Sequence, residues 1–158
     1  MYELLLAAAS WLHLIATVAW IGGIAFILFI AMPSAKKVLG LEASKLMGEI
    51  SKRFTPVANY SIGLLVLTGT IMAVINYRTS AHATPEKNWS IVLAVKLILV
   101  LSMIIIHFYR GWILAPKIIG TETEQKRAAM QKLSINLVKT NFGLGLAVLL
   151  LSAMIGIM

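Results

Sequence analysis

Ionisable side chains occur within stretches of the sequence that are otherwise apolar. Lys96 and His107 are 11 positions apart in one such stretch, and at about 100° per residue this spacing returns both side chains to one helix face. Met103 lies on the same face and Arg110 is one turn further on. His13, in an earlier apolar stretch, is their predicted partner. Since a buried ionisable group is costly in lipid, the pattern indicates a pathway, a counter-ion or a ligand set that faces the interior of a helix bundle.

The composition indicates the class of protein that carries these residues. Of the 158 residues, 59% are hydrophobic and 13% are charged, and the mean hydropathy is +0.89. Such values are typical of an integral membrane protein. Four apolar stretches are long enough to cross a hydrocarbon core about 30 Å thick, and the alternating pattern of a β-barrel is absent. We therefore predict an all-α bundle of four transmembrane helices in a single domain, residues 1–158. The predicted spans cover residues 4–31, 56–76, 89–115 and 133–157.

Basic residues are concentrated in the first and third connections between the spans, and the second connection contains only Arg78 and Lys87. Because cytoplasmic loops carry the excess of Lys and Arg, we predict a multi-pass protein of the cell membrane with both termini on the non-cytoplasmic side. The net charge is +8. Its location beside apolar helices favours contact with anionic lipid head groups over nucleic-acid binding.

The connections also have helical patterns. Residues 34–54 alternate apolar and charged positions at helical spacing, which predicts a short amphipathic segment on the cytoplasmic membrane surface. Thr121 and Glu124 have capping-box spacing, which predicts a helix that begins there and continues through Lys139 into the fourth span. His82 is predicted to be a solvated residue of the outer loop at residues 77–88.

Small and polar residues mark a predicted inward face on each of the other three spans. Glycine and serine at these spacings are typical of close helix packing, although glycines facing a flat macrocycle give the same pattern. The stripes are His13, Thr17, Trp20 and Ile24; Asn59, Gly63, Val66 and Thr70; and Asn141, Gly145, Ser152 and Gly156.

Three functions are compatible with the inward-facing side chains. In the first, the bundle holds haem b with His13 and His107 as axial ligands, and Lys96 is an alternative ligand or, like Arg110, a partner of the propionates. In the second, His13, His107, Met72 and Met103 form a path for copper, because imidazole and thioether groups are suitable ligands for Cu(I). In the third, the histidines are structural and bond to a carbonyl or a Thr hydroxyl, and Lys96 and Arg110 reach the nearer interface.

Two further observations limit these alternatives. The chain has no cysteine, which excludes disulfides, thiolate metal sites and covalently attached haem. Counted at about 1.5 Å per residue from the outer ends of the spans, His13 and His107 differ in height by ~10 Å, so that one shared iron does not follow from the sequence. His13 with Lys96, or separate sites for the two histidines, agrees equally well with these heights.

Short motifs are spread over nearly the whole chain: His13 to Trp20 with Gly22 and Gly23, Arg53-Phe54-Thr55-Pro56, Leu67-Thr68-Gly69, and Lys96-Leu97. In their order and spacing they resemble the CopD-type copper-resistance membrane domain. Through Lys96, His107, Arg110 and Gly111, the third span is also similar to the HemJ family of haem-containing porphyrinogen oxidases. The first resemblance implies copper transport or resistance, and the second implies haem b.

The sequence thus leads to a primary and an alternative prediction. The primary one is a membrane protein that binds haem b and transfers electrons, with a quinone or a porphyrinogen as partner, in which Trp20 and Met103 add to the cofactor site. A HemJ-like oxidoreductase activity is left open, as is a homodimer. The alternative is a copper transport or resistance protein of the CopD type.

Overall fold

The computed structural model describes residues 2–79 and 87–155, and these ranges are entirely helical apart from short turns. Residues 2–79 belong to one compact unit and residues 87–155 to another. Three helical stretches in the described chain are apolar and long enough to cross a membrane. The prediction of an all-α membrane protein is confirmed at this level. The candidate stretches are Tyr2–Asn76, Trp89–Ile119 and Glu124–Ile155.

The first unit is a helical hairpin. Its first arm runs from Tyr2 to Leu39, and its second arm is a single helix that packs along the first. Gly40 lies between the arms with φ +52°, a conformation that side chains with a Cβ rarely adopt, and it ends the first arm. The elements are α1 (Tyr2–Thr17), a π-helix (Val18–Gly22), α2 (Gly23–Phe26), a π-helix (Ile27–Ala31), α3 (Met32–Leu39), a 3₁₀ turn (Gly40–Glu42) and α4 (Ala43–Thr79).

The predicted surface segment at residues 34–54 is wrong as a separate element. Its first part completes α3, and its last part begins α4, which continues through Pro56 without a break. Proline lacks an N–H and can break a helix, but in a membrane helix neighbouring hydroxyls bond to backbone carbonyls near the defect. The carbonyl that would accept from residue 56 in a regular helix is that of Lys52, and the Thr55 hydroxyl donates to the adjacent Ser51 carbonyl at 2.8 Å. The predicted start of the second span at residue 56 therefore lies inside α4.

The arms of the first unit approach closely because small residues lie along their contact. Gly23 faces the ring of Phe54, and a Cβ built on Gly23 would overlap the ring atoms. Several of the buried side chains are alanines. The buried residues of this unit are Ala9, Ala16, Trp20, Ile21, Ile24, Ile27, Ala35, Ala43, Ala58, Ser61, Ile62, Thr68 and Ile75.

The second unit is also a helical hairpin, in which α5 packs against α7. Helix α7 is continuous from its charged N-terminal part to its apolar end, which confirms the prediction of one long helix beginning near Glu124. Thr121 does not cap it through its side chain, because its hydroxyl donates to the Lys117 carbonyl at 2.6 Å. Its elements are α5 (Lys87–Phe108), a π-helix (Tyr109–Leu114), α6 (Ala115–Ile119) and α7 (Glu124–Ile155).

Candidate functional site

His13 is held by a hydrogen bond between the two arms of the first hairpin. Its Nδ1 lies 2.8 Å from the hydroxyl oxygen of Thr68, and that hydroxyl is 2.7 Å from the carbonyl of Leu64. Thr68 has one hydroxyl proton, which it donates to the carbonyl, so its oxygen accepts the Nδ1–H of His13. The Nε2 of the neutral ring then carries the lone pair. A metal-binding imidazole has this arrangement, because the hydrogen bond at one nitrogen orients the other toward the ion.

Met72 lies one helical turn beyond Thr68 on α4, and Ser10 lies three residues before His13 on α1. The Ser10 hydroxyl donates to the Met72 sulfur at 3.3 Å. The Ser10–Met72 and His13–Thr68 contacts are therefore successive layers of the same hairpin, separated by about 6 Å along α4. Gly69 lies beside the imidazole, since a Cβ built on it would be 3.6 Å from His13 Cε1. We call His13, Thr68, Met72 and Ser10 the first-hairpin cluster.

Trp20 is on the same arm, two turns after His13, and is 2% exposed. It lies in the π-helix Val18–Gly22, which packs against α4. Thr17 donates its hydroxyl to the His13 carbonyl at 2.8 Å and so connects the turn that carries the histidine to the π-helix. Segments of π-helix occur frequently at functional sites.

Helix α5 carries Lys96, Met103 and His107 of the predicted stripe, and the π-helix that follows it carries Arg110. Met103 is 1% exposed and His107 is 7% exposed, and they are the two buried positions of α5 in its described part. Lys96 and Arg110 are partly exposed on the same stripe. Arg110 lies in the π-helix Tyr109–Leu114, directly after the helical turn of His107. The periodicity of the sequence therefore identified the buried face of α5.

The six site residues predicted from the sequence are divided between the two units. His13 and Trp20 lie in the first unit, whereas Lys96, Met103, His107 and Arg110 lie in the second. Joint ligation of one haem iron by His13 and His107 stays a prediction. Neither described range contains a cluster of three or more His, Cys, Asp or Glu side chains suited to a metal ion. Among the predicted site residues, the groups that could bind a soft metal ion are the imidazoles of His13 and His107 and the thioether of Met103. His82 lies outside the described residues.

Sequence reasoning did not connect Ser10 or Thr68 with the site. Thr68 is 55 positions from His13 and Ser10 is 62 positions from Met72, so both pairs depend on how the two arms align. The inward face predicted for the second span was wrong, because Thr70 on it is exposed whereas Thr68 is buried. The signals for Thr68 were the Leu67-Thr68-Gly69 motif and the alternative in which a histidine bonds to a Thr hydroxyl.

The arrangement defines a membrane protein of helical hairpins with a polar cluster between apolar helices. The family model CopD, described as copper resistance protein D, matches residues 48–155, more than half of the chain. The chain belongs to the CopD family. No curated protein and no solved structure matches it.

The matched region contains Thr68 and Met72 in the first unit and the whole described part of the second unit. His13 lies before the matched region, so its inclusion in the candidate site depends on its contact with Thr68. The HemJ-like features of the third span have no support in these comparisons.

Proposed function

We propose that this CopD-family protein moves copper ions through the membrane and that the first-hairpin cluster binds the ion on its way. The observation that carries the proposal is the pairing of an oriented imidazole, His13, with a thioether, Met72, in adjacent layers of one hairpin. Thioether and imidazole groups are ligands for Cu(I), and carboxylates are not needed. The copper ion is the cargo of the protein in this proposal.

The neutral charge of these ligands supports transport over storage. A pathway must bind an ion strongly enough to admit it and weakly enough to release it. Thiolates would hold copper more tightly, but the chain has no cysteine. An imidazole and a thioether leave the positive charge of the ion uncompensated, which favours its release at the far side of the membrane.

We further propose that the chain crosses the membrane four times, twice in each hairpin, as one membrane domain. The stretch Tyr2–Asn76 has 75 residues, whereas one crossing needs about 20. Its arms pack together on either side of the Gly40 turn, as two crossings require. The turns at Gly40 and Gly120 are flanked by basic residues, which supports a cytoplasmic location for them and, in this proposal, a location of both termini on the opposite side.

Copper uptake by proteoliposomes tests the transport proposal. We expect that vesicles containing the wild-type protein take up Cu(I) and that His13→Ala or Met72→Leu lowers the initial rate by at least about tenfold, since each removes a ligand. Met154→Leu is the matched control for the methionine, because Met154 is 40% exposed on α7. Equal uptake by wild-type vesicles and empty vesicles, together with unchanged copper content in expressing cells, would overturn the proposal.

Haem b is the competing prediction, and the same purified protein tests it. A Soret band with reduced α and β bands, lost in His13→Ala or His107→Ala, would establish a cytochrome and make the quinone or porphyrinogen the partner to identify. A colourless preparation from cells supplied with haem is expected if copper is the ligand. The homodimer stays a prediction, and its test is the mass of the protein in detergent.

A further inference from the structure

The second hairpin contains a buried polar atom, the side-chain oxygen of Asn141, which lies outside the first-hairpin cluster. Asn141 on α7 is 4% exposed, and its side-chain carbonyl oxygen has no hydrogen-bond partner among the described residues. A buried carbonyl without a partner is destabilising, and no water is present in lipid to satisfy it. Such an atom indicates that a donor or a cation binds there.

The buried positions of the two long helices show what lies near this oxygen. In α7 they are Asn141 and Gly145, and in α5 they are Met103 and His107, each pair being four residues apart on one face. The two helices pack against each other. Counted from the connection between Ile119 and Glu124 at about 1.5 Å per residue, Met103 and Asn141 lie within one helical turn of the same height. His107 is one turn from Met103.

The geometry points to a second copper-binding site, formed by Met103, His107 and the Asn141 side-chain oxygen. This inference depends on the proposed function, because it takes copper as the cargo. The thioether and imidazole repeat the ligand types of the first-hairpin cluster. Thioether and imidazole groups are ligands that copper accepts, and an amide or backbone oxygen occurs as a weak additional ligand in some copper proteins. Each hairpin then has its own binding site.

The three residues have different roles at this site. Met103 and His107 are separated by one turn of α5, so that both side chains reach a common point beside the helix. Asn141 approaches from α7 and supplies the oxygen that is otherwise buried without a partner. Gly145, one turn further along α7, carries no side chain that would fill the space next to this layer.

The test is the number of Cu(I) ions bound by the full-length protein in detergent, measured by competition with a chromophoric chelator under anaerobic conditions. We expect two ions per chain in the wild type. Met103→Leu or Asn141→Leu should lower the affinity of one ion by at least about tenfold, whereas His13→Ala should affect the other. Met103→Leu nearly conserves side-chain volume, which favours a folded protein, and Asn141→Leu keeps the branching and the number of side-chain heavy atoms.

The outcomes separate the second site from the proposed function. One bound ion that depends on His13 and is unaffected by Met103→Leu and Asn141→Leu would overturn the second site and leave the proposed function intact. Absence of bound copper in the wild type would overturn both. For variants that fail to fold, X-ray absorption of the two-copper wild-type protein provides a separate measurement. It should show two sulfur ligands per chain, and a single sulfur ligand would count against the second site.

Discussion

The Thr68 hydroxyl determines which nitrogen of His13 would bind the copper ion in the proposed function. It donates to the Leu64 carbonyl and therefore accepts from His13 Nδ1. In a structural histidine, such a bond only satisfies the ring nitrogen. A transport ligand needs the bond for a further reason, because the ring must present Nε2 in a fixed direction.

Thr68→Val should separate these two roles. The substitution conserves the shape of the side chain and removes the hydroxyl, so we expect Cu(I) affinity at the first-hairpin cluster to fall by about 10–100-fold. Chelator competition on the purified protein measures this change. Thr68→Ser retains the hydroxyl and is the matched control. Wild-type affinity in the valine variant would show that the orientation of His13 does not depend on Thr68.

From the sequence, we could predict which side chains lie together only within a single helix. The stripe of Lys96, Met103 and His107 follows from the helical repeat alone, and burial of its centre agrees with the prediction. The contact between His13 and Thr68 depends on the alignment of two arms whose residues are 55 positions apart. Local periodicity carries no information about that alignment, which is set by side-chain packing between the arms.

At the scale of the elements, glycines have different roles according to what surrounds them. Gly23 lies against the ring of Phe54, Gly63 has no atom within 4 Å of a built Cβ, and Gly40 has a positive φ. The sequence alone does not distinguish these glycines. Because of packing and backbone conformation, the changes in stability caused by substituting them differ in sign and in size.

Gly23→Ala should destabilise the first hairpin. The new methyl group overlaps the Phe54 ring, so the ring or the arm must move, at a cost of about 1–3 kcal/mol. Thermal unfolding in detergent measures the loss. Gly63→Ala is the control and should change the melting temperature little or raise it. Phe54→Leu should partly restore stability in the Gly23→Ala background, and equal stability of the two alanine variants would contradict the predicted contact.

Gly40→Ala should also destabilise the protein, through backbone strain instead of overlap. No atom lies within 4 Å of a built Cβ at Gly40, but its φ of +52° is unfavourable for alanine by about 1 kcal/mol or more. Gly48→Ala, within α4, is expected to have the opposite sign because alanine favours the helix. The two melting temperatures should therefore move in opposite directions from the wild type. A parallel shift would contradict a strained turn at Gly40.

The boundaries of the elements were less predictable than their type. The apolar stretches predicted helices correctly, but residues 34–54 were interpreted as a surface segment because apolar positions recur there at helical spacing among lysines and glutamates. The structure extends both helical arms through this region and turns at Gly40. Polarity indicates where a helix leaves the membrane, whereas its end depends on backbone conformation.

At the scale of the whole molecule, the absence of cysteine allows a direct test of orientation. Lys37→Cys and Lys126→Cys introduce single thiols beside the two basic turns. We expect a membrane-impermeant maleimide to label neither in intact cells and both after permeabilisation. Ser80→Cys, in the predicted outer loop beyond the described residues, is the control and should be labelled in intact cells. The reverse pattern would place the termini in the cytoplasm.

The π-helices that follow the two inward histidines have a consequence for insertions and deletions. A π-helical turn accommodates one residue more than an α-helical turn. Deleting one residue there would restore a regular α-helix without the rotation of about 100° that the loss of a residue from an α-helix causes beyond it. The deletion of Gly22 or Gly111 should therefore leave the histidine in place and keep the downstream segment close to its present face. In α1, where no π-turn is present to absorb the change, the same loss of one residue would turn His13 away from Thr68. The two π-helices thus mark positions where the chain tolerates a change in length that the histidine-bearing turns do not.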